Sequence, residues 1–293
     1  MTDQEKLAIE IVGPGAVGIG IAYLLKSAGY RNISFYSRSG PIQKQASIML
    51  SEGPVSMTLP SARMAPDLFI ITVKSFQLED ALDRILKSKN KNPIWVLCNG
   101  LTLEIERNNK FNPLLIRRGS VTFGSKIVEG GGIHLTLSTQ NLMVGPTHEH
   151  PTPLSDFEIN LINQMKPYGW YYSEPINPVI NKKWLFNTAL NCLCGIRRLE
   201  NNNKSLEYID ELKSIFEEAF ALGIEQFGSW NEEKEQLWNE LLELIKKTGS
   251  NENSMARDVR LKKKTEIEYL AGFARTSPVK YPILNNILTK FTN

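Results

Sequence analysis

Ile9-Glu10-Ile11-Val12-Gly13-Pro14-Gly15-Ala16-Val17-Gly18 is the stretch whose reading decides the fold of this 293-residue chain. A short apolar run ends in three glycines spaced G-x-G-x-x-G, and an apolar, helix-like segment, Ile19 to Leu25, follows directly. Each glycine has a physical role. Gly13 permits the tight turn out of the strand, Gly15 lets the backbone approach a pyrophosphate, and Gly18 lets the helix pack closely on the strand. The phosphates of a dinucleotide then sit at a helix N-terminus, where free N–H groups and the macrodipole favour negative charge. Gly13, Gly15, Ala16, Val17 and Gly18 are therefore the expected cofactor-binding residues of this loop.

The next strand-like segment, Asn32 to Tyr36, bears on which cofactor fits. A site for NAD usually ends this strand in Asp or Glu, which holds the ribose 2′-hydroxyl. Here Ser37-Arg38-Ser39 follows, with no acid nearby. The Arg38 guanidinium can pair bidentately with a 2′-phosphate, and the two hydroxyls can add hydrogen bonds. The alternative is a solvated arginine in the turn before Gly40-Pro41. The pattern favours NADP(H).

Working outward, residues 1–174 alternate strand-like and helix-like segments, as a parallel sheet with crossover helices requires. Strands are expected at Ala8–Val12, Ile33–Tyr36, Leu68–Val73, Ile94–Cys98, Ser120–Ile127, Gly132–Leu137 and Leu142–Val144. Several are continuously apolar, the mark of strands covered on both faces. A helix is expected at Asp156–Met165 and a short aromatic strand at Trp170–Tyr172. Residues 175–293 read as all helical, with segments Lys182–Ile196, Ser205–Phe227, Glu232–Lys247, Met255–Ala274 and Pro282–Phe291 carrying apolar residues at three- and four-residue spacing. The fold class is thus α/β: an N-terminal Rossmann-type dinucleotide-binding domain followed by an all-helical C-terminal domain, with the chemistry expected between the two.

Composition agrees with a soluble cytoplasmic enzyme. The net charge of +3 is too small and too scattered to imply nucleic acid or an acidic membrane surface. No apolar run approaches the roughly 20 residues that span a bilayer, and Met1 to Lys6 does not read as the start of a signal peptide. Cys98, Cys192 and Cys194 all lie in apolar segments, as buried reduced thiols would. With only His134, His148 and His150 beside them they form no zinc pattern, so no metal is expected.

In the helix expected from Lys182, three polar residues stand four apart: Lys183, Asn187 and Asn191. Steps of four advance only about 40° around a helix, so the three share one face. The other positions are apolar almost all the way round. Such a stripe is either the solvated side of a surface helix or the polar lining of a ligand site. Asparagine is a poor helix former and is unusual on a merely solvated face, which favours the second reading. Further on, Glu266 and Glu268 are two apart and cannot share a helix face. By pattern alone Glu266, in a run of Lys and Glu, reads as a surface salt-bridge residue.

These residues carry a family likeness. The chain resembles the ketopantoate reductases (2-dehydropantoate 2-reductases) over nearly its whole length. The matching motifs, in order, are Gly13 to Gly18; Val73-Lys74-Ser75-Phe76-Gln77; Asn99-Gly100; Val121-Thr122-Phe123-Gly124-Ser125 with Gly130-Gly131-Gly132-Ile133-His134; Lys183-x3-Asn187-x3-Asn191; and Ser254-Met255-x2-Asp258 with Thr265-Glu266-Ile267. Their order and spacing together are specific.

The resemblance implies roles. Lys183 matches the catalytic lysine that gives the substrate carbonyl oxygen its proton, and Glu266 the acid that holds and tunes that site. Asn187, Asn191, Asn201 and Ser254 match residues that bind the keto acid. Lys74 and Asn99 match positions lining the cofactor and the substrate site. The implied reaction is NADPH-dependent reduction of ketopantoate to pantoate, in pantothenate and coenzyme A synthesis. The implied partner is a small-molecule 2-keto acid, with neither nucleic acid nor membrane, and the assembly a monomer or homodimer. One departure stands out: Asn191-Cys192-Leu193-Cys194 replaces the family's usual Asn-Pro-Leu-Thr, which leaves reduction of another branched 2-keto acid open. A non-catalytic NADP-binding regulator is the remaining alternative, and it would be expected to lose the lysine or the glutamate.

Overall fold

The computed structural model describes residues 6–38, 40–42, 44–59, 65–89, 91–128 and 131–292. Ser39 and Gly130, both named above, lie outside them. Met1–Cys98 with Leu103–Asn177 form one compact unit, and Asn99–Thr102 with Pro178–Asn293 form a second.

In the first unit the strands are β1 (Ile9–Val12), β2 (Ile33–Ser37), β3 (Gly40–Ile42), β4 (Lys44–Leu50), β5 (Gly53–Leu59), β6 (Leu68–Ile71), β7 (Ile94–Val96), β8 (Ile116–Val121), β9 (Gly124–Ile127), β10 (Ile133–Thr136), β11 (Leu142–Gly145) and β12 (Trp170–Tyr172). Its helices are α1 (Ala16–Ser27), α2 (Leu78–Lys87), α3 (Leu103–Glu106) and α4 (Asp156–Met165). Eight strands form the main sheet in the order β12-β11-β8-β7-β6-β1-β2-β3. From β8 through β7, β6 and β1 to β2 the pairing is parallel throughout. Strands β1, β6, β7 and β8 are buried along their whole length, which explains the unbroken apolar runs of β6 and β7. Ile9, Ile11, Leu24, Leu25, Phe35 and Trp95 pack into one core, and Val12, Phe69, Ile71, Leu82, Ile94 and Val96 into another.

Glu10, an acid inside the apolar run of β1, is 5 % exposed and pairs with Arg84 Nη2 of α2 at 2.6 Å. The guanidinium also lies over the Tyr36 ring, 3.6 Å from its centroid. A buried carboxylate is tolerable only with such a partner.

The sequence reading needs three corrections in this unit. It assigns no strand between residues 41 and 59, yet β4 and β5 form a hairpin there in a second sheet ordered β5-β4-β10-β9. The alternation was legible: Ala46, Ile48 and Met57 turn inward while Ser47 and Met49 stay exposed. The expected strand Ser120–Ile127 is two strands in different sheets. The chain leaves β8 at Val121 and enters β9 at Gly124, and between them Phe123 is buried against Gly20 of α1. Finally, β8 starts at Ile116 and carries two buried arginines. Arg117 Nε lies 3.3 Å from Glu158, and Arg118 Nη1 lies 3.1 Å from Glu106. Those charges mask a strand that ion pairing makes possible.

The second unit is helical: α5 (Asn177–Arg197), α6 (Ile209–Phe227), α7 (Lys234–Lys247), α8 (Ser254–Arg260), α9 (Ile267–Ala271) and α10 (Pro282–Thr292). Its core includes Trp184, Leu193, Phe216, Leu241, Leu270 and Leu284. The single helix expected over Met255–Ala274 is broken. Arg260 to Lys264 are all exposed, and Lys262 takes a φ of 52°. A stretch with no apolar face to bury gains too little to continue a helix. Glu266 therefore stands at the N-cap of α9 and not in mid-helix. Asn99–Thr102, which the sequence reading leaves in the first domain, clusters here because Leu101 N donates to Tyr269 O at 2.8 Å. Among the described residues no helix is long and apolar enough to cross a membrane.

Candidate active site

In the first unit the glycine loop connects β1 to α1. Gly13 has a φ of 116°, and a Cβ there would lie 2.9 Å from Val73 N. A Cβ on Gly18 would lie 2.2 Å from Gly13 O. Both positions are closed to any larger residue. Gly15 is the opposite case. It is the N-cap of α1, and a Cβ there would meet nothing within 4 Å. The first turn of α1, with Ala16 and Val17, has no acid and no side-chain cap. Open space beside uncapped helix N–H groups fits a dinucleotide pyrophosphate.

Thr72, which the sequence reading did not single out, holds this loop. Its Oγ1 donates to Gly13 O at 2.8 Å, and its backbone N donates to Val12 O at 2.8 Å. A lone hydroxyl at the end of the apolar run Leu68–Val73 was the available signal. Two residues on, Lys74 is half-buried at the start of the turn Ser75–Gln77. Gly13 N donates to Tyr36 O at 3.0 Å, which places the loop beside the end of β2. Arg38 is exposed in the tight turn between β2 and β3. Ser37 Oγ donates to Gly40 O at 3.2 Å, so that hydroxyl serves the turn instead of pointing its hydrogen at a ligand as expected.

In the second unit the polar stripe of α5 is not a solvated face: Lys183 and Asn187 are half-buried and Asn191 is 8 % exposed. Two sets of contacts hold α5 in place. Trp184 Nε1 donates to Leu270 O at 3.0 Å and Thr188 Oγ1 to the same oxygen at 3.3 Å, tying the Lys183 end to the segment that begins at Glu266. Asn191 Oδ1 accepts from Asn253 Nδ2 at 2.7 Å, tying the other end to the start of α8, where Ser254 stands exposed. Asn99-Gly100 approaches the same region. Gly100 has a φ of 74°, and a Cβ on it would lie 2.6 Å from Tyr269 O. Tyr269 N in turn donates to Glu266 O at 3.0 Å.

Glu266 is 6 % exposed, which overturns its reading from pattern as a surface salt-bridge residue. Glu268 is the surface one, with its carboxylate 2.6 Å from Arg275 Nη2. The two adjacent lysines are also distinct. Lys182 pairs with Glu232 and, at 3.1 Å, with Glu240. Burial disfavours the Lys182 charge, but the two carboxylates more than offset this and raise its pKa.

Asn201 is not joined to the stripe by a hydrogen bond among the described residues. Its Oδ1 accepts from Lys204 N at 3.3 Å as the N-cap of the turn Asn202–Tyr208. Where the family has its proline, α5 runs unbroken through Cys192 and Cys194, both fully buried, to Arg197. Among the described residues no cluster of His, Cys, Asp or Glu could hold a metal ion.

Comparison with known proteins gives a consistent picture. The family model described as "Ketopantoate reductase PanE/ApbA" matches residues 9–149, and its C-terminal counterpart matches residues 176–285. A 2-dehydropantoate 2-reductase of Vibrio cholerae is 28 % identical over 275 residues, covering 90 % of this chain and 88 % of the relative. That of Aquifex aeolicus is 27 % identical, with 96 % and 94 % covered. Among solved structures, a 2-dehydropantoate 2-reductase from Geobacter metallireducens superposes with a TM-score of 0.77 at 19 % identity, covering 98 % of this chain and 99 % of that one. A dimeric ketopantoate reductase from Staphylococcus aureus gives 0.76 at 18 %, with 98 % of each chain covered. A D-mandelate dehydrogenase in complex with NADH gives 0.76 at 19 %, again with 98 % of each covered. The loop built on Gly13 to Gly18, the stripe on α5 and the two matched models, which together span most of the sequence, make this chain a member of the ketopantoate reductase family.

Proposed function

We propose that this protein reduces 2-dehydropantoate to pantoate with NADPH, a step toward pantothenate and coenzyme A. The observation that carries the reading is the half-buried stripe Lys183-Asn187-Asn191, anchored through Trp184 and Thr188 to the segment that begins at the buried Glu266. When bound, NADPH supplies a hydride to the carbonyl carbon. The chain's residues do the rest. Reduction of a ketone builds negative charge on its oxygen, and the Lys183 ammonium both stabilises that charge and delivers the proton. Glu266 positions the lysine. Asn187, Asn191, Ser254 and Asn99 hold the carboxylate and hydroxyl of the keto acid, so that its carbonyl carbon is oriented for attack. Asn201, committed to its cap, contributes less. Gly13, Gly15, Ala16, Val17 and Gly18 receive the pyrophosphate, Lys74 lines the cofactor, and Arg38 takes the 2′-phosphate.

The protein acts as a monomer or homodimer on a small molecule, in the cytoplasm. Three free thiols, Cys98, Cys192 and Cys194, suit that reducing compartment. A second reading, reduction of another branched 2-keto acid, is favoured by the unbroken helix through Cys192 and Cys194. NADPH oxidation measured across a panel of 2-keto acids, including ketopantoate, 2-ketoisovalerate and phenylglyoxylate, separates them. The highest kcat/KM is expected with ketopantoate. A higher value for another acid reassigns the substrate, and no turnover with any acid favours a non-catalytic NADP-binding role.

A further inference from the structure

Asn253 carries no expectation from the sequence, yet it is 5 % exposed and bridges two elements of the site. Its Oδ1 accepts from the backbone N–H of Met255 at 2.9 Å and of Ala256 at 3.4 Å, capping α8. Backbone N–H groups can only donate, so the end of the Asn253 amide facing them must be oxygen, and the other end must be Nδ2. That Nδ2 stands 2.7 Å from Asn191. An NH2 group also only donates, so the Asn191 atom facing it must be Oδ1. The helix cap thus sets the orientation of two side-chain amides in series. Both hydrogens on Asn191 Nδ2 are left outside the pair.

We infer that Asn253 is a positioning residue that presents Asn191 to the substrate as a hydrogen-bond donor only, so that this end of the stripe selects an acceptor: the carboxylate of the 2-keto acid. An unanchored asparagine can rotate and offer either its oxygen or its NH2, and so would also accept a hydroxyl or amide donor. Reversing the anchored one leaves two acceptors or two donors face to face, or strips α8 of its cap. Neither is cheap in a buried pair. The selectivity lies in what the pair refuses, a donor group at this position. The inference rests on the reductase reading for the substrate's identity, while the polarity of the amide pair stands apart from it.

The test is Asn253→Ser, which keeps a side-chain oxygen to cap α8 but is too short to hold Asn191. NADPH affinity should stay near that of the unaltered protein, and the melting temperature should fall by only a few degrees, as the loss of one buried hydrogen bond requires. KM for the keto acid should rise by roughly three- to tenfold, the effect of loosening one hydrogen bond to a charged group. In an Asn191→Ala background the same substitution should leave KM unmoved. A KM that does not change in the single variant, or that rises equally in both backgrounds, overturns the proposal. NMR of the ligand-free protein reads the polarity without turnover: the Asn253 Nδ2 hydrogens should exchange slowly and lose that protection in Asn191→Ala. Fast exchange in the unaltered protein overturns the assigned polarity. If no 2-keto acid is reduced at all, the reductase reading falls, and the exchange measurement still decides the amide pair.

Discussion

The Trp184 indole N–H donates to the Leu270 carbonyl oxygen at 3.0 Å, and this bond holds the helix of Lys183 against the segment that begins at Glu266. Lys183 is therefore carried on an element fixed to that segment, while its neighbour Lys182, about 100° round the helix, reaches away to Glu232 and Glu240. Lys183→Ala should lower kcat by on the order of 10²–10⁴, the usual contribution of general acid catalysis, with NADPH affinity retained. Lys182→Ala should keep kcat. Steady-state kinetics with a fluorescence titration of NADPH check both, and near-normal kcat for Lys183→Ala would refute the mechanism.

The two nearby glutamates should also separate. Glu266 is 6 % exposed, whereas Glu268 is a surface partner of Arg275. Glu266→Ala should cut kcat at least tenfold, a loss of about 1.4 kcal/mol in transition-state stabilisation. Glu268→Ala should change kcat little and stability by less than about 1 kcal/mol, as exposed ion pairs do. Equal effects of the two substitutions on turnover would argue against the role given to Glu266.

Gly15 and Gly18 offer a contrast within one loop. A methyl on Gly18 would stand 2.2 Å from Gly13 O and 2.7 Å from Thr72 Oγ1, so Gly18→Ala should lower the melting temperature and abolish cofactor binding. A methyl on Gly15 meets no protein atom within 4 Å. Gly15→Ala should therefore fold with unchanged stability and still bind NADPH poorly, because the methyl occupies the space assigned to the phosphates. Calorimetry and NADPH titration on both variants distinguish a clash with protein from a clash with ligand; tight NADPH binding by Gly15→Ala would contradict the placement.

Arg38 is exposed in the β2–β3 turn, where the guanidinium can meet a 2′-phosphate but would still be solvated. Arg38→Ala should weaken NADPH binding by about 1.5 kcal/mol, the low end for a hydrogen bond to a charged group. NADH binding should be unaffected. Isothermal titration with both cofactors measures this, and equal affinities in the unaltered protein would remove the case for NADPH.

The thiols should be inert in the folded state. Burial, with the Cys194 charge adding to it, pushes the Cys192 thiol well above its ordinary range, and burial pushes Cys194 up to about 12. Cys98 is buried as well, with Sγ donating to Val73 O at 3.1 Å. Thiolate is the reactive form, so a thiol reagent at pH 8 should label these cysteines slowly until denaturant is added. Rapid labelling of Cys192 and Cys194 in the native protein would show that the C-terminal part of α5 opens.

The dinucleotide loop could be read from the sequence because its requirements are local. A turn, a close approach and a helix start each constrain a residue type at a fixed offset, and Gly13, Gly15 and Gly18 meet them within six positions. The face shared by Lys183, Asn187 and Asn191 was legible for the same reason, since helical periodicity alone decides it. Other features depended on partners distant in sequence. Glu266 sits among lysines and looks like a solvated charge; only the break of the helix after Arg260 and the packing of α9 under α5 bury it. Arg117 and Arg118 could stand in a buried strand only because Glu158 and Glu106 come to meet them. Asn253 looked like any residue before a helix until folding set its amide against Asn191, 62 positions away. Periodicity and turn chemistry are properties of neighbouring residues, whereas burial and amide orientation belong to pairs that only the tertiary structure brings together.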